Sequence, residues 1–201
     1  MRVSLLKGSC GGALFVLLTL LLCAGLEPQA PAPKSPGVNQ DSLVIEGFEK
    51  QVADYVKLHK KAEAGLPAKK PTDSSHTINE RRRLLAGKIE AARPSAKQGD
   101  FFSPEVSQLF KRLIAMAYQS SGPAKVGTSL RHDEPVHGVQ MQVNAPYPET
   151  VPLQTTPPSI LLNLPPLPPE LDYRIVGQDL VLRDTGANII VDYIPGAIPR
   201  S

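Results

Sequence analysis

Apolar residues recur along this chain with two different periods, and the change from one to the other divides it. Between about Ser42 and Ala64, Ile45, Phe48, Val52, Tyr55, His59 and Ala62 fall at three- and four-residue steps, a single stripe on a helix. Asp41 or Ser42 is placed to cap its start, and Gly65 followed by Pro67 ends it. A second helix is predicted from about Ser75 to Ala92, with a thinner stripe of Ile78, Leu85, Ile89 and Ala92 and a stop before Pro94. Neither stripe is covered within such a helical hairpin, so the pair must dock on something else or stay partly dynamic.

The third helix carries the best local signals. Ser103 reads as N-cap, Pro104 as the first helical residue, and Glu105 sits where the positive end of the helix dipole favours it. Val106, Leu109, Phe110, Leu113, Met116 and Ala117 make its apolar face, and Gly122-Pro123 closes it.

Beyond this helix the period becomes two. Val126, Thr128 and Leu130, then Val139, Met141 and Val143, alternate on either side of the turn His132-Asp133-Glu134-Pro135, which predicts a β-hairpin. Residues 146–169 hold nine prolines interleaved with Val151, Leu153, Ile160, Leu161, Leu162, Leu164 and Leu167. Solvated linkers seldom carry so much apolar surface, so an extended strap over the domain is expected; a PxxP ligand for an aromatic groove is the sharper alternative.

LDYRIVGQDLVLRD then predicts a second hairpin with a type II′ turn at Gly177-Gln178. That register pairs Val176 with Asp179 and Asp172 with Arg183, and gathers Tyr173, Ile175, Leu180 and Leu182 on one face. The next loop, Asp184-Thr185-Gly186-Ala187-Asn188, reads as a hairpin tip with Gly186 supplying positive φ. An even-length loop places Ile189, Val191 and Tyr193 beside Leu180 and Leu182, whereas an odd one brings in Ile190 and Asp192; the even form is expected. The tail aspartates then punctuate and solvate a small sheet.

The architecture predicted is α+β. Residues 1–25 read as a signal peptide, 26–41 as a proline-rich tether, 42–93 as a helical hairpin, and 101–199 as a small antiparallel sheet domain with one covering helix and a strap. Arg2 and Lys7 precede the apolar run Ala13 to Ala24, which is too short to span a bilayer and suits export, with cleavage after Gly25. The product is expected in the periplasm or outside the cell, with no transmembrane helix in the mature chain. Cys23 opens a lipoprotein reading, which Leu22 disfavours because such signals place a small residue before the cysteine. Cys10 and Cys23 both lie in this leader, so no disulfide, thiolate nucleophile or cysteine-held metal is expected in the mature chain.

Removing Arg2 and Lys7 lowers the net charge from +3 to +1, but the charge is unevenly spread. Residues 57–97 carry eleven Lys/Arg against four Asp/Glu; residues 99–201 carry seven against ten. The basic half, with Arg81, Arg82, Arg83 and Lys88 at its centre, is a candidate contact for an anionic envelope surface; a solvated helix face explains the same residues. Export disfavours nucleic acid as a partner. Carbohydrate is disfavoured too, because the chain has no Trp and only five Tyr and five Phe for stacking.

Asp184-Thr185-Gly186 resembles the catalytic loop of pepsin-like and retroviral aspartic proteases, which need two such carboxylates sharing one proton. Arg183 stands where that family has an apolar or small residue, only seventeen residues follow Asp184, and no second D-T/S-G occurs upstream. His132, Asp133, Glu134 and His137 could ligate a divalent ion, though a polar turn has the same composition. His59 reads as a packed boundary residue and His76 as helix-entry surface. HExxH, GxSxG and Walker-type glycine loops are absent from the sequence.

The segment LLNLPPLPPELDYRIVGQDLVLRDTGANIIVDYI, with YVKLHKKAEAGLPAKKPTD and FFSPEVSQLFKRLIA before it, resembles a group of uncharacterised exported bacterial proteins. That resemblance implies bacterial export and a shared fold, and brings no activity or site residues with it. The function expected is therefore a non-enzymatic module, structural or interacting with an envelope protein or anionic envelope surface. A periplasmic binding or chaperone-like protein is the alternative. An aspartic-protease-like or metal-dependent hydrolase comes last, and no cofactor, catalytic residue or metal ligand is assigned.

Overall fold

The computed structural model describes residues 39–67, 74–120, 141–148 and 156–199. The signal segment, the tether as far as residue 38, the His132–His137 cluster, the alternating residues 126–139, Val151 and Leu153 lie outside the described residues. Among the described residues, no helix is long and apolar enough to cross a membrane.

The fold is α+β. Helices α1 (Gln40–Ala64), α2 (Ser75–Ala92) and α3 (Pro104–Ser120) precede the one-turn α4 (Pro158–Leu161) and three strands. Strands β1 (Leu171–Val176), β2 (Asp179–Asp184) and β3 (Ile189–Ile194) form an antiparallel meander in sequence order. Asn39, two residues ahead of the expected position, caps α1: its side chain accepts from the Asp41 N–H at 3.1 Å. Ser103 caps α3 as expected, accepting from the Val106 N–H at 3.3 Å.

The β1–β2 register is the one the sequence dictates, from Val176 opposite Asp179 to Asp172 opposite Arg183. Gly177, first in its turn, has φ of 60°. Arg183 reaches Asp172 with two hydrogen bonds, 3.0 Å from Nε and 2.7 Å from Nη2.

The β2–β3 connection has four residues, the expected even length, with Asp184 opposite Ile189. A β-bulge then changes the phase. Arg183 faces Ile190 while Leu182 faces Asp192, so Val191 is the extra residue. Ile189 and Val191 stay on the expected side, but Asp192 and Ile194 join them opposite Leu182 and Leu180, and Tyr193 turns to the other face.

One large core unites the helices with this face of the sheet. Phe48, Val52 and Tyr55 from α1, Leu85 and Ile89 from α2, and Val106, Phe110 and Ile114 from α3 pack with Tyr173, Ile175, Leu180 and Leu182. The hairpin of α1 and α2 therefore has the docking surface its stripes require. Aromatic rings hold the centre, with Phe48, Phe102 and Phe110 in mutual contact at centroid distances of 5.1 to 5.9 Å. Ile114 and Tyr118 are buried on α3, whereas Met116, expected on its apolar face, is exposed.

The opposite face of the sheet carries a smaller cluster of Val176, Val181 and Ile190 beneath Tyr147. Met141 and Val143, predicted in a strand, lie in an irregular stretch and a turn. The chain just after them lines the free edge of β3: Asn144 N–H donates to Ile190 O and Tyr147 N–H to Asn188 O, each over 2.8 Å. Part of the proline-rich strap is also seen. Ile160, Leu164 and Pro165 are buried, but residues 158–161 form a helical turn, and Leu162 is 85% exposed.

Candidate functional site

Asp184 ends β2, and its carboxylate is fully buried. Three donors converge on it. Tyr55 Oη–H donates to Oδ2 over 2.8 Å, His59 Nδ1–H to the same oxygen over 2.6 Å, and the Ala187 backbone N–H to Oδ1 over 2.7 Å. Helical spacing explains the first two, since residues four apart share a face, and Tyr55 and His59 both lie on the buried stripe of α1. The third is a local turn bond that an Asp makes to backbone near its own position.

The loop is therefore a turn, as expected, but its aspartate is not a solvated one. Its carboxylate joins α1 to the β2–β3 connection across 125 to 129 residues of sequence. Gly186 serves this contact rather than a positive φ, which belongs to Asn188 at 54°. A Cβ at Gly186 would stand 3.0 Å from His59 Cε1 and 3.4 Å from Leu85 Cδ2. Thr185 fixes the far side of the loop, its N–H donating to Glu170 O and its hydroxyl to Pro169 O, each over 2.9 Å.

Charge gathers around the imidazole. His59 Nε2 is 3.9 Å from Glu63 Oε2, and Glu63 in turn meets Arg81 of α2 at 3.2 Å. Glu170, in the turn before β1, pairs with Lys60 at 3.3 Å. The hydrogen bond to Asp184 raises the His59 pKa; burial opposes this, and the charges of Asp184, Glu63 and Glu170 add to the rise. Burial, together with the Asp184 charge and hydrogen bond, pushes the Tyr55 hydroxyl far above its ordinary value, so it acts here as a donor. Arg93 lies over the rings of Tyr55 and Phe101, 5.3 Å from each centroid.

A second buried carboxylate, Asp192, organises the turn ahead of α3. Gly99, Phe101 and Phe102 donate backbone N–H groups to it at 3.0, 2.8 and 2.9 Å. The bulge at Val191 is what turns this side chain inward.

Asp184 and Asp192 are thus each fully buried and bonded to donors from the same chain. Among the described residues three surface grooves stand out, and neither aspartate lines any of these three. One of about 290 Å³ lies between the start of α1 and the start of α3, with Leu43, Phe48 and Val106 in its walls. One of about 360 Å³ runs between α1, at Val52, Ala53 and Val56, and Pro166 and Pro168. The third, about 320 Å³, lies on the other side of Pro166, against Leu161, Leu167 and Tyr173.

The basic residues singled out in the sequence are dispersed by the helix they share, because consecutive residues point about 100° apart. Arg81 is turned to α1, bonded to Glu63 and to Pro67 O. Arg82 contacts Asn79 at 3.4 Å, and Arg83 and Lys88 are exposed, Lys88 close to Gly65. His76 is exposed, as expected. Among the described residues there is no group of three or more potential metal ligands. Sequence reasoning placed His59 on the core stripe but missed its partnership with Asp184. The available signal was a Tyr and a His four apart on one apolar face, two polar groups needing a buried acceptor.

Comparison with protein-family models, with curated proteins and with solved structures finds no match to this chain.

Proposed function

We propose that this chain is an exported, non-enzymatic module that binds an envelope protein through its apolar surface. One observation carries the reading. Leu161, Leu162 and Pro166 are exposed as a ledge, and apolar grooves of about 360 and 320 Å³ lie on either side of Pro166. Exposed apolar surface rimmed by polar residues is typical of interaction sites. The sealed carboxylates fit the same picture, since their hydrogen bonds are spent on the fold. The N-terminal charged and apolar pattern supports export.

A photo-crosslinking residue at Ala53, in one groove, or at Leu162, on the ledge itself, tests the proposal in cells, with the exposed Gln98 as the control position. A discrete adduct from the first two positions and none from Gln98, in an envelope fraction, is the expected outcome. The reading is lost if neither position gives an adduct, or if pure protein cleaves peptides at acidic pH and Asp184→Asn abolishes the cleavage. Binding to anionic vesicles that disappears when Arg82, Arg83 and Lys88 become Gln would instead favour the anionic surface as partner.

A further inference from the structure

We propose that His59 is a proton-operated latch: protonated, it draws the carboxylates of Asp184 and Glu63 to its two ring nitrogens and holds α1 to the β2–β3 loop; neutral, it relaxes that hold. The geometry supplies the parts. His59 is only 3% exposed, so its charge is stabilised by neighbours and not by water. Asp184, from the end of β2, is 2.6 Å from Nδ1, and Glu63, from α1 itself, is 3.9 Å from Nε2, while Glu170, in the turn that leads into β1, pairs with the neighbouring Lys60. Among the described residues, the groups facing the site are those three carboxylates, the Tyr55 hydroxyl of α1, Lys60 paired with Glu170, Arg81 of α2 paired with Glu63, and Arg93, just after α2, over the Tyr55 ring. Leu85 of α2 and Gly186 of the loop border the imidazole side of the site without charge.

Deprotonation removes the one cation that touches the Asp184 carboxylate directly. The neutral ring can still donate Nδ1–H to Asp184, so the latch loosens and does not break. The elements it spans are the ones whose relative position depends on it, since the Asp184 oxygen it holds also accepts from Tyr55, and Oδ1 holds Ala187 N–H. The sign follows from the raised affinity of the folded state for the proton. The contribution is complete below the unfolded imidazole value of ~6.5 and is lost as pH rises through the folded one.

Imidazole NMR of the full chain, with amide exchange read residue by residue, tests this. His59 should titrate above ~6.5, and the protection factor of the Ala187 amide should fall several-fold through the same transition while that of Leu182, inside β2, holds. His59→Gln, which can donate a hydrogen bond but carries no charge, should remove the step at Ala187. Should that variant fail to fold, Glu63→Gln and Glu170→Gln serve instead, each moving the His59 midpoint downward. The proposal is overturned by a His59 midpoint at or below ~6.5, by an Ala187 protection factor with no step, by a step that survives His59→Gln, or by carboxylate variants that leave the midpoint in place.

Discussion

Removing the Asp192 carboxylate should be among the costliest single changes available in this fold. The side chain accepts from the backbone N–H of Gly99, Phe101 and Phe102, and Phe101 and Phe102 are only 7% and 3% exposed. In Asp192→Ala, water cannot take over those two amides. A buried donor left without an acceptor costs about 1–3 kcal/mol, so two of them cost about 2–6 kcal/mol before the turn relaxes. Relaxation recovers part of this, as does the lifted cost of burying a charge, which leaves a net loss of about 3 kcal/mol. Phe101 and Phe102 carry their rings into the main core, against Tyr55 at 5.7 Å and Phe110 at 5.6 Å, so the loss propagates to α1 and α3. Urea unfolding followed by far-UV circular dichroism is the suitable assay, since the chain has no Trp. With a slope of about 1–3 kcal/mol per molar, the midpoint should fall by about 1–3 M. Asp192→Asn should lose less, because the amide retains one acceptor oxygen while turning its NH₂ toward donors. An Asp192→Ala midpoint within about 0.3 M of the parent would refute the reasoning, since that corresponds to less than about 1 kcal/mol.

Tyr55→Phe keeps the ring against Phe101 and deletes only the hydroxyl bond to Asp184; a loss of about 1.5–3 kcal/mol is expected in the same assay, as for hydrogen bonds to charged groups. Gly186→Ala brings a Cβ to 3.0 Å from His59 Cε1 with Leu85 behind it, and overpacking of this kind should cost about 1–3 kcal/mol. Arg81→Ala, which breaks a partly exposed pair with Glu63, should cost no more than about 1 kcal/mol, and the neighbouring Arg83→Ala should be neutral, a contrast that thermal melts resolve.

What could be read in the sequence is what local rules govern. The Gly177-Gln178 turn sets the β1–β2 register because a two-residue loop leaves one way to pair the flanking residues, and the burial of Tyr173, Ile175, Leu180 and Leu182 follows from the pleat. The stripe of α1 likewise names Phe48, Val52, Tyr55 and His59. The misplaced features have non-local causes. The bulge at Val191 stands against the strand's own alternation, and its effect is to deliver Asp192 to a turn some ninety residues earlier. Gly186 looked like a φ requirement because turns often need one; the actual requirement comes from an imidazole brought in by α1. No window of the sequence containing Asp184 contains its two side-chain donors.

The two buried aspartates share a physical logic that explains why these two carboxylates of the sheet face inward. A three-stranded meander has short strands and several irregular connections pressed against its helices, and each connection presents N–H groups that no ladder can satisfy. A carboxylate offers about four lone-pair sites on two oxygens, so one side chain can serve several such donors at once, which a hydroxyl or an amide does less well. At Asp192 the donors are all backbone amides, those of Gly99, Phe101 and Phe102 ahead of α3 and that of Tyr193 beside it; at Asp184 they are one amide and two side chains of α1. The difference matters because only the second site includes a group that changes charge near neutrality. Hence the hold of Asp192 on its turn involves no such group, whereas the hold of Asp184 on α1, shared with Tyr55, is strengthened by the proton carried by His59.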